Sequence, residues 1–434
     1  MLLYSLFPRL AGTIDQFTEH TARAAALGFD WVYLNPVQYP GFSGSLYAIK
    51  DLERLNPEFV PAGGAETLDT LAATIAAIQA QGLRVMYDLV INHTAKDSPL
   101  VATHPRWFRF DDHGQVLSPS AIDPDDARKV TVWGDLAEVD NAHSAERRAL
   151  WAFWTDLVQR YLDLGFDGFR CDAAYKVPAR LWQQLIGNAR QRRPDVVFAA
   201  ETLGCRPTEV QALAVAGFDY LFNSSKWWNF DQPWCLDQHE QYGRVAPSIA
   251  FPESHDTPRL MAETGGRLAV QRQRYAFAAA FSAGLMMPIG FEFGFKKSLH
   301  VVATRPSDWE QDAIDLQPFI GAVNRLKRAL PVLGVEGHWQ AQTGFDRPTL
   351  VLRKNAAQCA PCWLVINKDW HTAQQLAVGE LRGVPANSTL LRPCCAPEAR
   401  EPWPGGGSVT LQPAEVAYLV ADSAPAGSAT VPIA

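Results

Sequence analysis

Polar and charged residues stand where four apolar runs of this sequence end. They are Asp88, Asn92 and His93 in "YDLVINH", Arg170 and Asp172 in "GFRCDA", Glu201 in "FAAETLG", and Glu253, His255 and Asp256 in "FPESHD". Paired carboxylates of this kind carry out glycoside chemistry, in which one acts as an acid and the other as a nucleophile or base. Asp, Glu and His are also metal ligands. The sequence has no histidine pair at i, i+4 spacing, which favours the glycoside interpretation.

Arg170 and Asp172 pose the sharpest question, because they lie two positions apart in a strand-like run. Burial of an ion is costly unless the ion is paired and hydrogen-bonded. A single such pair is more often structural than catalytic. If the charged residues at the ends of all four runs meet at one place, the desolvation cost of several ions is concentrated there. Their convergence therefore favours a functional site.

The elements that must position these residues alternate between strand and helix up to about residue 330. The strand candidates are nearly continuous apolar runs, as expected for strands covered on both faces. Eight such units predict an α/β fold, a (β/α)8 TIM barrel whose catalytic residues lie at the C-terminal ends of the strands. An open doubly wound sheet is the alternative, but no glycine-rich phosphate loop follows the first strand.

The domain organisation follows from two breaks in this alternation. Residues 94–143 form a long connection after strand 3, and we interpret them as an inserted subdomain B. The catalytic barrel then comprises residues 1–93 and 144–334. Short strands without helices predict a C-terminal antiparallel β-sandwich domain over 335–423, and 424–434 is predicted to be a disordered tail.

Composition excludes several classes of protein. The net charge of −7, without a long basic run, argues against nucleic acid as a partner. No apolar stretch is long enough to cross a membrane, and "MLLYSLF" lacks the flanks of a signal peptide, so we read it as the first strand. Seven cysteines at irregular spacing indicate a cytoplasmic protein. Cys359, Cys362, Cys394 and Cys395 do not match zinc-ligand spacing, and we interpret them as ordinary thiols.

"DLVINH", "GFRCDAAY", "AAET" and "FPESHD" resemble, in order, the four conserved regions of the α-amylase superfamily, glycoside hydrolase family 13. The resemblance extends over nearly the whole chain. It implies that Asp172 is the nucleophile, Glu201 the general acid and base with a raised pKa, and Asp256 a ligand of the 2- and 3-hydroxyls. It implies that Arg170 holds Asp172 ionised and that Asp88 braces Arg170. A retaining reaction would place Asp172 and Glu201 roughly 5–5.5 Å apart.

The same resemblance implies a set of substrate-binding residues. Tyr47, in "SGSLYAIK", would be the aromatic platform under the reacting sugar, although a core tyrosine is the alternative. His93 and His255 would bind the same sugar. On the acceptor side the candidates are Lys176, Arg206, Arg259, Trp227 and Trp228, for which solvated surface or core packing are the alternatives.

The predicted function is that of a retaining enzyme on α-glucosidic bonds, with an α-glucan or maltooligosaccharide as substrate and no cofactor. Calcium is not expected, because Lys176 is followed by valine where many α-amylases have a Lys-His pair. The segments after strands 5 and 6 resemble the branch of maltosyltransferases, which favours transfer to sugar acceptors. A plain α-amylase or α-glucosidase type hydrolase and an inactive sugar-binding homologue remain as alternatives.

Overall fold

The computed structural model describes residues 1–122, 126, 128–311, 314–394 and 400–421. The predicted tail, 424–434, and Cys395 lie outside the described residues. Within the described ranges, no helix has the length and apolar character needed to cross a membrane.

A closed barrel of parallel strands forms the centre of the molecule, with the strands following one another around it in chain order. They are β1 (Leu2–Leu6), β2 (Trp31–Leu34), β3 (Arg84–Leu89), β4 (Gly168–Cys171), β5 (Val197–Glu201), β6 (Tyr220–Phe222), β7 (Ser248–Ala250) and β8 (Gly284–Pro288). Their residues are almost all buried. The predicted (β/α)8 fold class is therefore confirmed.

One longer helix follows each strand and covers the outside of the barrel. They are α1 (Phe17–Ala26), α2 (Leu71–Ala80), α3 (Arg147–Asp163), α4 (Ala179–Arg192), α5 (Pro207–Ala212), α6 (Trp234–Gly243), α7 (Leu268–Phe281) and α8 (Gln317–Ala329). Short helices span Pro8–Ala11, Pro99–Thr103, Leu260–Glu263 and Pro331–Gly334. Gly28, with φ of 84°, takes the left-handed conformation just after α1 and so ends that helix.

Two segments outside the barrel reach its C-terminal end. After β2, strands Gln38–Pro40 and Ile49–Leu55 pair with each other. After β3, the insertion contains two antiparallel pairs, His93–Ala95 with Leu136–Glu138 and Ser120–Ile122 with Val130–Val132. The strand His93–Ala95 begins only a few residues after β3, so the insertion starts directly at the strand end that carries the polar residues.

The C-terminal domain is antiparallel, as predicted. Its strands are β9 (His338–Ala341), β10 (Thr349–Asn355), β11 (Cys362–Asn367), β12 (Gln374–Ala377), β13 (Ser388–Leu391), β14 (Arg400–Pro402), β15 (Ser408–Leu411) and β16 (Val416–Ala421). One sheet has the order β9-β10-β11-β16-β13-β14, and β12 pairs with β15 in a second sheet. Trp363 and Leu376, one from each sheet, belong to one apolar cluster. Trp339 stacks on Phe281 of the barrel at 4.9 Å between ring centroids. The domain limits given above stay predictions.

Candidate active site

Arg170 is the central cation of the site. It lies in β4 directly opposite Asp88 of β3, and its side chain is only 6% exposed. Nη1 donates to Asp88 Oδ1 at 2.9 Å and to Asp172 Oδ1 at 2.6 Å. Nη2 lies 3.8 Å from Glu201 Oε2. One guanidinium therefore faces three carboxylates, which is a paired and hydrogen-bonded arrangement that a buried ion requires.

Asp88 is fully buried and receives two further hydrogen bonds. The hydroxyl of Tyr33 donates to Asp88 Oδ2 at 2.5 Å, and that of Tyr47 donates to the same oxygen at 2.6 Å. Asn35 Nδ2 donates to the Tyr47 hydroxyl at 2.9 Å. Burial raises the pKa of Asp88, and the charge of Arg170 opposes that rise. Sequence reasoning missed Tyr33 and Asn35. Their polar groups alternate with apolar residues in "WVYLN", which places both on one face at the end of β2.

Asp172 follows β4 and keeps one oxygen toward the cavity. Its backbone N–H donates to the carbonyl of Leu89 at 3.1 Å, which fixes it against the end of β3. Oδ1 is bound by Arg170, whereas Oδ2 lies 3.9 Å from Nε2 of His93. The side chain is 12% exposed. This leaves a carboxylate oxygen available to a reacting atom.

Glu201 ends β5, next to β4 in the barrel. Burial raises the pKa of Glu201 to about 7; the charge of Arg170 opposes this shift, and the charges of Asp172 and Asp256 add to it. Oε2 accepts a hydrogen bond from the backbone N–H of Ala173 at 2.8 Å. Ala173 has φ of 42° and ψ of 44°, a left-handed conformation that is costly for a residue with a Cβ. A carboxyl group that holds its proton near neutral pH can act as a general acid.

Two histidines lie beside the carboxylates, and their side chains are engaged differently. His93 is buried, and its Nε2 has no hydrogen-bond partner among the described residues. Burial lowers the pKa of His93, which favours the neutral ring. His255 Nε2 lies 2.7 Å from the Tyr47 hydroxyl and 3.1 Å from Asp256 Oδ2. The rings of Tyr47 and His255 stack at 5.6 Å with an angle of 5°.

A cavity of about 460 Å³ lies at the C-terminal end of the barrel, and Asp88 and His255 are not among the residues that line it. Its polar lining residues are Ser45, Tyr47, Asn92, His93, Asp135, Arg170, Asp172, Tyr175, Lys176, Glu201 and Asp256. Asp256 lies at the solvent side, with its side chain 47% exposed. Trp133 and Asp135 of the insertion also line the cavity, and sequence reasoning did not single them out. The only feature of the sequence that could have indicated Trp133 and Asp135 is their position in the long loop after β3.

Comparison with known proteins finds a family model and curated sequences to which this chain is similar. Residues 1–108 match the family described as the glucanotransferase domain of glycogen debranching enzyme. Over 410 residues the chain is 30% identical to an alpha-1,4-glucan:maltose-1-phosphate maltosyltransferase of Burkholderia pseudomallei, covering 90% of this chain and 35% of that protein. A Pseudomonas aeruginosa protein of the same name is 26% identical over 415 residues, covering 86% of this chain and 60% of its own length.

Solved structures agree with the fold. An α-amylase from Geobacillus thermoleovorans superimposes with a TM-score of 0.75 at 16% identity, covering 97% of this chain and 98% of that one. An α-amylase from Lactobacillus plantarum superimposes with a TM-score of 0.74 at 22% identity, covering 96% of this chain and 98% of that one. At these identities the solved structures show a shared fold, and the curated relatives above are maltosyltransferases by name. This confirms the resemblance carried by the four sequence segments. The chain spans 35% and 60% of the two curated maltosyltransferases named above.

A second cavity of about 320 Å³ adjoins the first. The two cavities share four lining residues, which are Ala121, Tyr175, Lys176 and Leu203. The second one also contains Lys129, Arg206 and Glu209, so that with Lys176 it is lined by three basic side chains and one carboxylate. Lys176 and Arg206, both predicted on the acceptor side, therefore meet at one cavity.

Two of the acceptor-side predictions are wrong. Trp228 is 1% exposed and packs edge-on against Phe281 at 4.8 Å between ring centroids, so it is a core residue and cannot contact a sugar. Arg259 is likewise 1% exposed and pairs with Glu253 at 2.7 Å, which makes the pair structural. Trp227 is 50% exposed, but it is not among the described residues that line either cavity.

Metal-ligand chemistry was the rival interpretation of the site. In the part of the chain that the structure describes, no group of three or more His, Cys, Asp or Glu side chains could hold a metal ion. Cys359 and Cys362 are free thiols. That the enzyme works without calcium stays a prediction.

Proposed function

We propose that this chain is a retaining enzyme that cleaves α-glucosidic bonds through a covalent glycosyl-enzyme on Asp172. The observation that carries the proposal is the pair formed by Asp172 and Glu201, both facing one guanidinium and one cavity. Asp172 is held by a charge-assisted bond, whereas Glu201 has a pKa near 7. Two carboxyl groups in such different states can divide the roles of nucleophile and acid.

In the first half of the reaction, Asp172 attacks the anomeric carbon as the bond from that carbon to the leaving oxygen breaks. Glu201 gives its proton to that oxygen. In the second half, the Glu201 carboxylate takes a proton from the incoming hydroxyl, whose oxygen displaces Asp172. Asp256 and His93, which line the cavity, would hold the hydroxyls of the reacting sugar, with Tyr47 beneath its ring. That His255 binds the same sugar stays a prediction.

We further propose that the incoming hydroxyl belongs to a sugar more often than to water. The similarity to proteins named maltosyltransferases and to a glucanotransferase domain supports transfer. The adjoining cavity supports it as well, since it meets the active-site cavity at Tyr175, Lys176 and Leu203 and offers space for a docked acceptor. A docked acceptor reacts with the advantage of proximity, and it displaces competing water. The basic lining of Lys129, Lys176 and Arg206 would also suit a phosphorylated donor.

The test is product analysis. The enzyme is incubated with maltotetraose, with and without α-maltose 1-phosphate, and products are separated by length at early times. Products longer than the substrate support transfer, and dependence on the phosphorylated sugar identifies the donor. Shorter products alone would leave a plain hydrolase. If a folded enzyme yields no products, the proposal is wrong and a sugar-binding homologue is the better interpretation. The cytoplasmic location stays a prediction.

A further inference from the structure

One wall of the active-site cavity is built from two irregular loops, residues 41–48 and 300–304. The first loop contributes Ser45 and Tyr47 to the lining, and the second contributes Val301. Regular backbone pairing does not hold these loops, because both consist of turns. The backbone N–H of Leu46 donates to the carbonyl of Val301 at 3.2 Å, so the loops meet at that oxygen.

Arg9 reaches both loops from the end of β1. It lies in the short helix Pro8–Ala11, and its side chain is 2% exposed. Nε donates to the carbonyl of Val301 at 2.8 Å, and Nη2 donates to the carbonyl of Gly44 at 2.6 Å. Nη1 pairs with Glu58, which also lies 3.3 Å from Arg305. A planar guanidinium can hold a carboxylate and two carbonyls in different directions, which one ammonium on a flexible stem does much less well.

The inner part of this wall has its own anchor. The Tyr47 hydroxyl is bound to Asp88 and His255, as described above. The hydrogen bonds of the Arg9 side chain go to Val301, Gly44 and Glu58, and not to Asp172, which follows β4, or to Glu201, which ends β5. Loss of the Arg9 side chain would therefore loosen Ser45 and Val301 while leaving the reacting groups in place.

We propose that Arg9 is a positioning residue, which fixes the wall formed by loops 41–48 and 300–304 and so sets the affinity for the sugar substrate. The inference rests on the proposed function for its kinetic part. Its structural part, the bracing of two loops, is independent of which reaction the enzyme catalyses. Loss of a contact between the wall and the substrate that is equally strong in the ground state and the transition state raises KM and leaves kcat unchanged.

The test compares Arg9→Met and Arg9→Lys with Arg193→Met in the full chain. Arg193 is a matched control, because its Nη1 also donates to a carbonyl, that of Phe166, at 2.6 Å. Phe166 precedes β4, so this contact lies at the opposite end of the barrel. Hydrogen exchange of peptides covering 41–48 and 300–304 is measured by mass spectrometry, together with KM and kcat for maltotetraose.

The expected result is faster exchange of both loops in Arg9→Met, with KM raised about tenfold and kcat within about threefold of the wild type. Arg9→Lys should show smaller effects in the same direction, and it keeps the test possible if Arg9→Met does not fold. Arg193→Met should leave exchange in the loops and KM unchanged. Unchanged exchange in both Arg9 variants overturns the proposal, as does faster exchange with unaltered KM. If wild-type enzyme is inactive while the loops still loosen, the proposed function fails and the bracing stands.

Discussion

Replacement of Glu201 by glutamine should stabilise the protein, and it should do so only above a certain pH. The side chain of Glu201 is 16% exposed, and burial together with nearby negative charge raises its pKa from the ordinary 4.5 to about 7. Glutamine is neutral at every pH and keeps an oxygen that can accept the N–H of Ala173. The variant therefore removes the cost of ionising a buried carboxyl while it preserves the shape of the site.

The direction in which stability changes with pH follows from the pKa of Glu201 in the unfolded and folded states. Because the folded-state pKa is raised, the stability contributed by the protonated carboxyl is complete below pH about 4.5, where both states hold the proton. It is lost as the pH rises from about 4.5 to about 7, and it stays lost above that range. Each pKa unit corresponds to about 1.36 kcal/mol, so the full effect of this shift is roughly 3 kcal/mol.

The assay is denaturant unfolding of wild type and Glu201→Gln at several pH values from 4.5 to 8.5. The difference in free energy of unfolding should be small at the acid end and should grow to roughly 3 kcal/mol in favour of the variant above neutrality. Glu19→Gln, which removes an exposed carboxylate far from the cavity, controls for the change in net charge. A difference between wild type and Glu201→Gln that is constant with pH would refute the argument that Glu201 is buried as the neutral acid.

Four further outcomes are expected. Asp172→Asn and Glu201→Gln should each reduce turnover by at least roughly 10³-fold with the fold intact. His93→Ala should reduce turnover less, because His93 forms and breaks no bonds. Measurement of kcat checks turnover, and circular dichroism checks the fold. The rate of the first half-reaction in wild type should fall as the pH rises through about 7, where Glu201 loses its proton, and a pH–rate profile of glycosylation measures it. Trp228→Ala should cost about 3–5 kcal/mol of stability and Trp227→Ala within about 0.5 kcal/mol, by chemical denaturation. A chelator should change neither Tm nor activity, and a fall in Tm that calcium reverses would contradict this.

The barrel and the central carboxylates could be predicted because both leave local signals. A parallel strand covered on both faces must be apolar throughout, so each polar residue at its end stands out, as Asp88, Asp172 and Glu201 do. The order of the strands then follows from the chain, since each returns through a helix. The place of Arg170 between Asp88 and Asp172 was implied by the resemblance of the four segments and not by this pattern.

The outer parts of the site could not be predicted in this way. Trp227 and Trp228 are identical in type and adjacent in sequence, yet one is 50% exposed and the other 1%. Only the packing of α7, which supplies Phe281, decides between them. Trp133 and Asp135 reach the cavity through the course of the insertion, which has no regular period. Tyr33 belongs to a strand whose apolar residues concealed the role of its hydroxyl.

The arrangement around Arg170 explains why a barrel strand carries an arginine at all. One positive charge faces Asp88, Asp172 and Glu201, so it cannot neutralise three ionised carboxylates in a buried site. Burial raises the pKa of Glu201 to about 7, and the distances show why the anionic form of Glu201 has the weakest contacts with donors. Asp172 and Asp88 lie 2.6 and 2.9 Å from Nη1, and Asp88 has two tyrosine hydroxyls as further donors. Glu201 is 3.8 Å from Nη2 and receives one backbone N–H. Glu201, whose carboxyl has the weakest contacts with Arg170, therefore holds its proton most readily. The ion pair between Arg170 and Asp172, which stabilises the strand, thereby also distinguishes the acid, Glu201, from the nucleophile, Asp172.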